Sequence, residues 1–410
     1  MQQVDTTNNL RKCRLIMVSD KNNNKYYEMD EQSNGFFKVV YGRVGNKGST
    51  SEYPISMWHS KYNEKLRKGY QDQTHLFKEK EESQINFDDI TEETVNHLLK
   101  DLYNYSNKSM EEHYNVTAEQ VTIKQLDEAQ TLLNELALKI KPRMRRAAFN
   151  TSLIKLYGII PRKMANVNAH LLTPKMTLAE IERLIANEQE TLDVMRNQFE
   201  MHAQNDAKTE VENISILSKL GITIEEENSR KVINKLRKMM GEHKSLFYKA
   251  FKVSNIKTEA NYNQYLTDKR NRKTALFWHG SRNENWMSIL GSGLVLRPTN
   301  AIITGKMFGY GLYFADKFRK SLNYTSYRGA YWSGGVSNKA YLAIYEVHTG
   351  KQLKTKRHES WHSSLDENTL KSKGNYDSLY AKGGADLLNN EYIIYNANQC
   401  TIKYLVEIRK

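Results

Sequence analysis

Phe308-Gly309-Tyr310-Gly311-Leu312-Tyr313-Phe314-Ala315-Asp316 decides how the last part of this 410-residue chain is read. Its glycines form a lone G-x-G. In a dinucleotide-binding βαβ unit such glycines leave a strand and open a helix. Here they lead into Gly311–Phe314, which reads as a short strand, and no strand–helix unit with the full glycine spacing is found. Working outward, Ala275–Trp278, Lys339–Val347, Glu391–Tyr395 and Thr401–Ile408 also read as strands, separated by Gly- and Asn-rich loops. The pattern predicts a mainly antiparallel sheet with few helices, and a C-terminal hairpin turning at Asn396–Gln399.

Two other segments precede it. Arg14–Val18, Lys25–Met29 and Phe36–Tyr41 are short branched or aromatic runs broken by Asn22-Asn23-Asn24 and Ser33-Asn34-Gly35, as strands are by turns. A tight loop with Gly42, Gly45 and Gly48 follows. Ile55–Gly69 then predicts a helix with Trp58, Tyr62 and Leu66 on one face, and Gln71–Glu93 a polar linker. In the middle, Leu126, Ala129, Leu133, Leu136 and Ile140 form a helical stripe, Ser152–Ile160 is apolar up to Pro161, and Leu178, Ile181, Ile185, Leu192 and Met195 form another stripe. The whole is an α+β multidomain chain. Residues 1–82 form a small β-rich domain with a helix, 94–205 an α-helical bundle, and 215–410 the antiparallel sheet domain.

Composition sets limits. Hydrophobic residues are 39%, charged 26% and aromatic 10%, which fits folded domains and argues against disorder. No run approaches the roughly 20 apolar residues of a membrane helix, so no membrane partner is expected. The polar N-terminus lacks the apolar run of a secretory signal. Cys13 and Cys400 are the two cysteines, too few for a disulfide framework or a four-ligand zinc finger, and a reducing compartment fits. The net charge of +14 divides into +3 over residues 1–82, −2 over 83–239 and +13 over 240–410. The last third should attract a polyanion or an anionic small molecule, unless it is merely a solvated basic surface.

Three motifs stand out in that third: Trp278-His279-Gly280-Ser281-Arg282; the 308–316 stretch with Lys320-Ser321-Leu322-Asn323-Tyr324 after it; and Asn390-Glu391-Tyr392-Ile393-Ile394-Tyr395. In this order they resemble the catalytic domain of the poly(ADP-ribose) polymerase family. The first segment is similar to that family's WGR domain through Tyr41-Gly42-Arg43-Val44-Gly45 and Lys68-Gly69-Tyr70. The middle resembles its helical regulatory domain in pattern and in the run Leu156–Met164. With no counterpart of the family's zinc fingers or BRCT module, the chain resembles the short, DNA-dependent type.

The resemblance implies NAD as co-substrate and no metal. By it, Gly280 holds the nicotinamide carboxamide through its backbone and Ser321 adds a hydroxyl. Tyr324 and Tyr313 sandwich the ring, and His279 binds the adenosine ribose. Ser281 and Lys320 complete the NAD-binding set. Glu391 is the catalytic residue, whose carboxylate stabilises the positive ribose formed as nicotinamide departs and orients an acceptor hydroxyl. Members that keep this glutamate generally extend chains. His348, His358 and His362 read as structural, since the His358/His362 spacing lacks a third ligand. Lys306, in the loop Arg297–Lys306, stands where the family commonly has an aromatic residue. Val295 stands where a basic one is frequent, and Arg297 lies two positions on.

Tyr41 stands for the WGR tryptophan and implies stacking at a DNA end, with Arg43 meeting phosphate. The partners implied are DNA with breaks or 5′-phosphorylated ends, and protein acceptors including the chain itself. Because the chain ends at Lys410, soon after the last strand, an accessory factor completing the active site is not expected. The setting implied is intracellular: a eukaryotic nucleus, or the cytoplasm or nucleoid in a bacterial or viral context. The helical segment is expected to shield the pocket until DNA engages, and Lys141–Arg146 is by default a solvated basic helix end. Single-unit transfer, NAD hydrolysis, or a non-catalytic DNA-end scaffold are the alternatives.

Overall fold

The computed structural model describes residues 10–77, 87, 90–206, 215–296, 307–330 and 336–410. Contacts group the chain into two units, one of Met1–Ser83 with Ser109–His202, the other of Gln84–Lys108 with Ala203–Lys410. This differs from the three-part division. The β-rich segment and most of the middle helical segment share one unit.

The first unit contains β1 (Lys12–Ser19), β2 (Asn23–Glu31), β3 (Phe36–Arg43), β4 (Ser49–Pro54), α1 (Trp58–Arg67) and β5 (Gln71–Asp72). The sheet runs β4-β3-β2-β1-β5, antiparallel throughout. Alternate residues Cys13 and Leu15, Tyr27 and Met29, Phe37 and Val39 share one face and bury Trp58 of α1 against it. Leu66, expected beside Trp58 and Tyr62, is exposed. Each four-residue step overshoots a turn by about 40°, so the third member of an i, i+4, i+8 stripe rotates off the face. Strand β4 was not expected because, as a polar edge strand, it has no apolar alternation. It forms because Gly42 and Gly48 let the turn close on Tyr26; a Cβ on Gly48 would sit 2.2 Å from the Tyr26 hydroxyl. The expected linker is structured at its start, where β5 pairs with Leu15 and Ile16 and Leu76 is fully buried. Residues 78–86, 88 and 89 lie outside the described residues.

Four longer helices follow: α2 (Glu93–His113), α3 (Ile123–Leu138), α4 (Arg146–Ile159) and α5 (Leu178–Asp206). The division between the units crosses α2, after Lys108, and the end of α5, after His202. Helix α3 starts at Thr122, whose hydroxyl accepts from Gln125 N at 3.3 Å, and buries Leu126, Ala129, Leu133 and Leu136 as the stripe predicts. Helix α4 stops before Pro161, which cannot continue it. Ile181, Ile185, Leu192 and Met195 of α5 are buried, whereas Leu178 is exposed. Between α4 and α5, Arg162 meets Glu188 at 3.1 Å with both side chains buried, and its guanidinium lies 4.8 Å from the Tyr114 ring centre. The Arg162 carbonyl accepts from the buried Asn24 side chain at 2.8 Å, tying the sheet to the helices of this unit. In the basic run, Arg146 is not free. It donates to the carbonyls of Thr173 and Met176.

The second unit contains α6 (Ile216–Leu220), β6 (Ile222–Glu226), α7 (Arg230–Met240), β7 (Phe247–Asn255), α8 (Ile256–Thr267), β8 (Thr274–Gly280), α9 (Trp286–Ser292), β9 (Leu312–Phe314), α10 (Phe318–Leu322), β10 (Lys339–His348), β11 (Gln352–Thr355), α11 (Glu367–Ser372), β12 (Ser378–Ala381), β13 (Glu391–Ile394) and β14 (Cys400–Arg409). It holds more helix than expected, mostly in short pieces. One sheet runs β6-β7-β14-β10-β8 and is antiparallel; the other runs β11-β12-β13-β9, with β11 and β12 parallel. The expected C-terminal hairpin does not form. Residues 396–399 instead carry the chain from β13 in one sheet to β14 in the other. The sheets are stitched where β8 meets the residue after β9: Trp278 N donates to Ala315 O at 2.8 Å and Ala315 N to Trp278 O at 3.0 Å. The rings of Phe277 and Tyr392 stack across the same seam at 4.1 Å.

Truncating one member of a buried ion pair strands the other in low dielectric. Glu188→Ala is expected to lower the unfolding free energy by about 3–5 kcal/mol, measured by urea denaturation. A loss below about 1 kcal/mol would mean that the pair behaves like a surface bridge.

Candidate active site

At the seam, β8 delivers His279 and Gly280. The His279 Nδ1 lies 3.1 Å from the Tyr313 carbonyl. A carbonyl only accepts, so Nδ1 carries the proton and Nε2 is left as an acceptor. Burial lowers the imidazole pKa, which favours this neutral form. The ring is wedged edge-on against Tyr345, with centroids 5.9 Å apart.

Gly280 is required sterically. A Cβ there would stand 1.9 Å from the Ser321 carbonyl oxygen. Strand β8 and helix α10 approach closely only because that position has no side chain. Helix α10 in turn presents buried Ser321, and Lys320, which pairs with Glu391 Oε1.

Glu391 opens β13, between β12 and β9. It is 4% exposed, and its Oε2 is buried with no hydrogen-bond partner. Burial raises its pKa above the ordinary glutamate value, and Lys320 pulls it back. The preceding Asn390 is clamped: its amide donates to Asp316 Oδ2 at 2.7 Å and its oxygen accepts from Gly383 N at 2.9 Å.

Tyr313 is held at both ends. Its backbone pairs with Ile393, and its hydroxyl donates to Gly309 O at 3.0 Å and accepts from Phe308 N at 3.1 Å. That loop is pinned in turn by Tyr395, whose hydroxyl donates to Phe308 O at 2.6 Å. Gly309 has φ +73, and a Cβ on it would strike Leu365 O at 2.2 Å. Tyr324 remains 39% exposed, and its hydroxyl pKa is pushed up to about 12 by burial and by Glu391.

Among the residues singled out by sequence, the structure thus brings His279, Gly280, Tyr313, Lys320, Ser321 and Glu391 together at the seam, with Tyr324 following α10. Ser281 turns to local work, its hydroxyl accepting from Asn285 Nδ2 at 3.1 Å. Val295 is exposed, and Arg297–Lys306 lie outside the described residues. Asp316 and Tyr395 have supporting roles that no local sequence signal marks. In the first unit Tyr41 is 42% exposed, but Arg43 is already engaged, donating to Met164 O at 2.9 Å and Asn22 O at 2.6 Å. His348 Nε2 meets Asn271 O at 2.6 Å, and His362 Nδ1 accepts from Glu359 N at 2.8 Å. No group of three or more His, Cys, Asp or Glu suited to a metal ion occurs among the described residues, and no helix there is long and apolar enough to cross a membrane.

A family model of the poly(ADP-ribose) polymerase catalytic domain matches residues 226–410. A poly(ADP-ribose) polymerase-like protein, 100L, of Invertebrate iridescent virus 6 is 37% identical over 169 residues, covering 40% of this chain and 86% of that protein. An uncharacterized protein of the same virus, 101L, is 32% identical over 48% of this chain and 81% of its own length. Poly(ADP-ribose) polymerase 1 of Danio rerio is 34% identical over 38% of this chain but only 17% of its own.

Because burial raises the Glu391 pKa and Lys320 holds it down, Lys320→Met leaves burial unopposed. The Glu391 carboxyl is expected to titrate at higher pH in that variant than in the parent chain, followed by carboxyl-selective NMR. An unchanged midpoint would show that the pair does not control the charge.

Proposed function

This chain belongs to the poly(ADP-ribose) polymerase family and is an NAD-dependent ADP-ribosyltransferase; from that premise we propose that it forms poly(ADP-ribose), is stimulated by DNA breaks and is restrained by its helical segment. The observation that carries the reading is the buried Glu391 carboxylate, with one oxygen on Lys320, the neighbour of Ser321 in α10, and the other without a partner.

Glu391 Oε2 accepts a hydrogen bond from a ribose hydroxyl. Its negative charge then stabilises the positive charge that develops on the ribose as the nicotinamide bond breaks. The same oxygen next receives the proton of the attacking acceptor hydroxyl. Lys320 fixes the carboxylate and keeps it ionised. The Gly280 backbone and the Ser321 hydroxyl hold the carboxamide of the leaving group, between the rings of Tyr313 and Tyr324. Neutral His279 offers Nε2 as an acceptor to the adenosine ribose.

In the first unit, exposed Tyr41 supplies a stacking surface for a DNA end. Arg43 fixes the end of β3 through its bonds to the carbonyls of Met164 and Asn22, and its remaining N–H groups are the donors offered to phosphate. Restraint works through α2. Its Asp101 pairs with Lys339 of β10, and Glu92, just before it, accepts from Glu226 N at 2.9 Å. Acceptors are protein side chains, including the chain's own.

Glu391→Gln is expected to abolish chain growth and to lower NAD turnover on the order of 100-fold while sparing NAD binding. Products from labelled NAD resolved by size are the check, and long polymers from that variant would refute the role of Glu391. Stimulation is tested separately, by NAD consumption with and without a 5′-phosphorylated nicked duplex. Turnover should rise with the nick, and equal rates would remove DNA activation from the reading.

A further inference from the structure

Helix α7 carries an array of cations that the transferase chemistry does not use. Arg230, Lys231, Lys235, Arg237 and Lys238 are all exposed, while Leu236 and Met240 bury the opposite side. Arg237 lies over the Phe247 ring at 4.9 Å. Among the described residues the other four have no acidic partner, and the first turn contains no acidic residue. This arrangement works against the helix. Arg230 and Lys231 sit at the N-terminus, where the helix dipole repels positive charge. Lys231 and Lys235 at i, i+4, and Lys235 and Lys238 at i, i+3, stack like charges. Exposed helices elsewhere in this chain balance their charge with Glu64–Lys68, Glu135–Lys139 and Glu367–Lys371 pairs. A merely solvated face is built that way here, and α7 is not.

Its position narrows the partner. Leu236 and Met240 share a core with Phe318 of α10. Arg319, with a side chain 72% exposed, reaches within 3.8 Å of Glu242, two residues past α7. The next residues of α10 are Lys320 and Ser321. Helix α7 thus packs its apolar side on the helix that flanks Glu391, in the unit where transfer occurs, and leaves its basic face open.

We propose that the exposed face of α7, extended by Arg319, binds the ADP-ribose polymer, a flexible polyanion with a pyrophosphate in every repeat. Spaced cations along about 16 Å of helix meet successive phosphates without requiring a rigid duplex. The choice of polymer over DNA rests on the polymer-forming reading above, but binding to supplied polymer does not.

The test uses the full chain and purified poly(ADP-ribose) of defined length made by another enzyme, followed by fluorescence anisotropy across a salt series. The variant K231A/K235A/K238A should weaken binding about tenfold or more and reduce the salt slope by about 2. A control losing equal charge elsewhere, K354A/K356A/R357A, should stay within about twofold of the parent. Alanine relieves repulsion on an exposed helix, so the melting temperature of the α7 variant should be no lower than that of the parent. Unchanged polymer binding in the α7 variant, an equal loss in the control, or a nicked duplex that outcompetes the polymer for α7 would each overturn the proposal. If α7 binds supplied polymer while the chain makes none from NAD, the product reading fails and the surface stands.

Discussion

The second unit is organised around a carboxylate that it does not need for folding. Taking an ionised glutamate out of water costs several kcal/mol, recovered only when all its lone pairs are met. Glu391 has Lys320 on one oxygen and no partner on the other. An unmet buried acceptor costs about 1–3 kcal/mol, so an apolar residue would serve the core better. The opposing pulls of burial and Lys320 leave the group ionisable but poised, the condition expected of a residue kept for chemistry.

Holding such a group requires rigid surroundings, and the seam between the sheets provides them. The Trp278–Ala315 bridge and the Phe277–Tyr392 stack lock β8 to the second sheet. The same bridge sets the His279 ring against the Tyr313 carbonyl. Gly280 then brings α10 within contact of β8, which is what places Lys320 beside Glu391. A side chain at 280 would drive the helix away and strand the carboxylate. The steric demand at one glycine and the electrostatic demand at one glutamate are therefore a single constraint, met from two strands far apart in sequence.

The strands of the site were legible because they are apolar, short and bounded by Gly and Asn, and the three motifs fell at their ends. Strand β4 was hidden because an edge strand need not alternate, and β5 because two residues carry no period. The partition of β13 and β14 between sheets was also hidden: a short turn reads as a hairpin unless the pairing of each strand is known. Asp316 and Tyr395 escaped notice because their roles are hydrogen bonds across 74 and 87 residues of chain, which leave no local pattern. Arg43 looked free for phosphate because nothing in its neighbourhood announces the carbonyl of Met164.

Charge shows the same limit and how it is overcome. Counted in segments, residues 83–239 are slightly acidic and the basic surplus begins at 240. That boundary cuts off α7, whose five exposed cations were averaged against acidic residues drawn from both units. Counted over 215–410, the net charge is +16. Part of the positive charge in this unit is committed to partners: Lys249 to Glu226, Lys252 to Glu225, Lys269 to Asp377, Lys339 to Asp101 and Glu407, and Lys403 to Glu259 and Glu346. A diffuse surplus only raises encounter rates with any polyanion. A face whose cations repel one another and lack counter-charges gains most when a partner supplies them, so the local arrangement, more than the net charge, marks where a polyanion would dock.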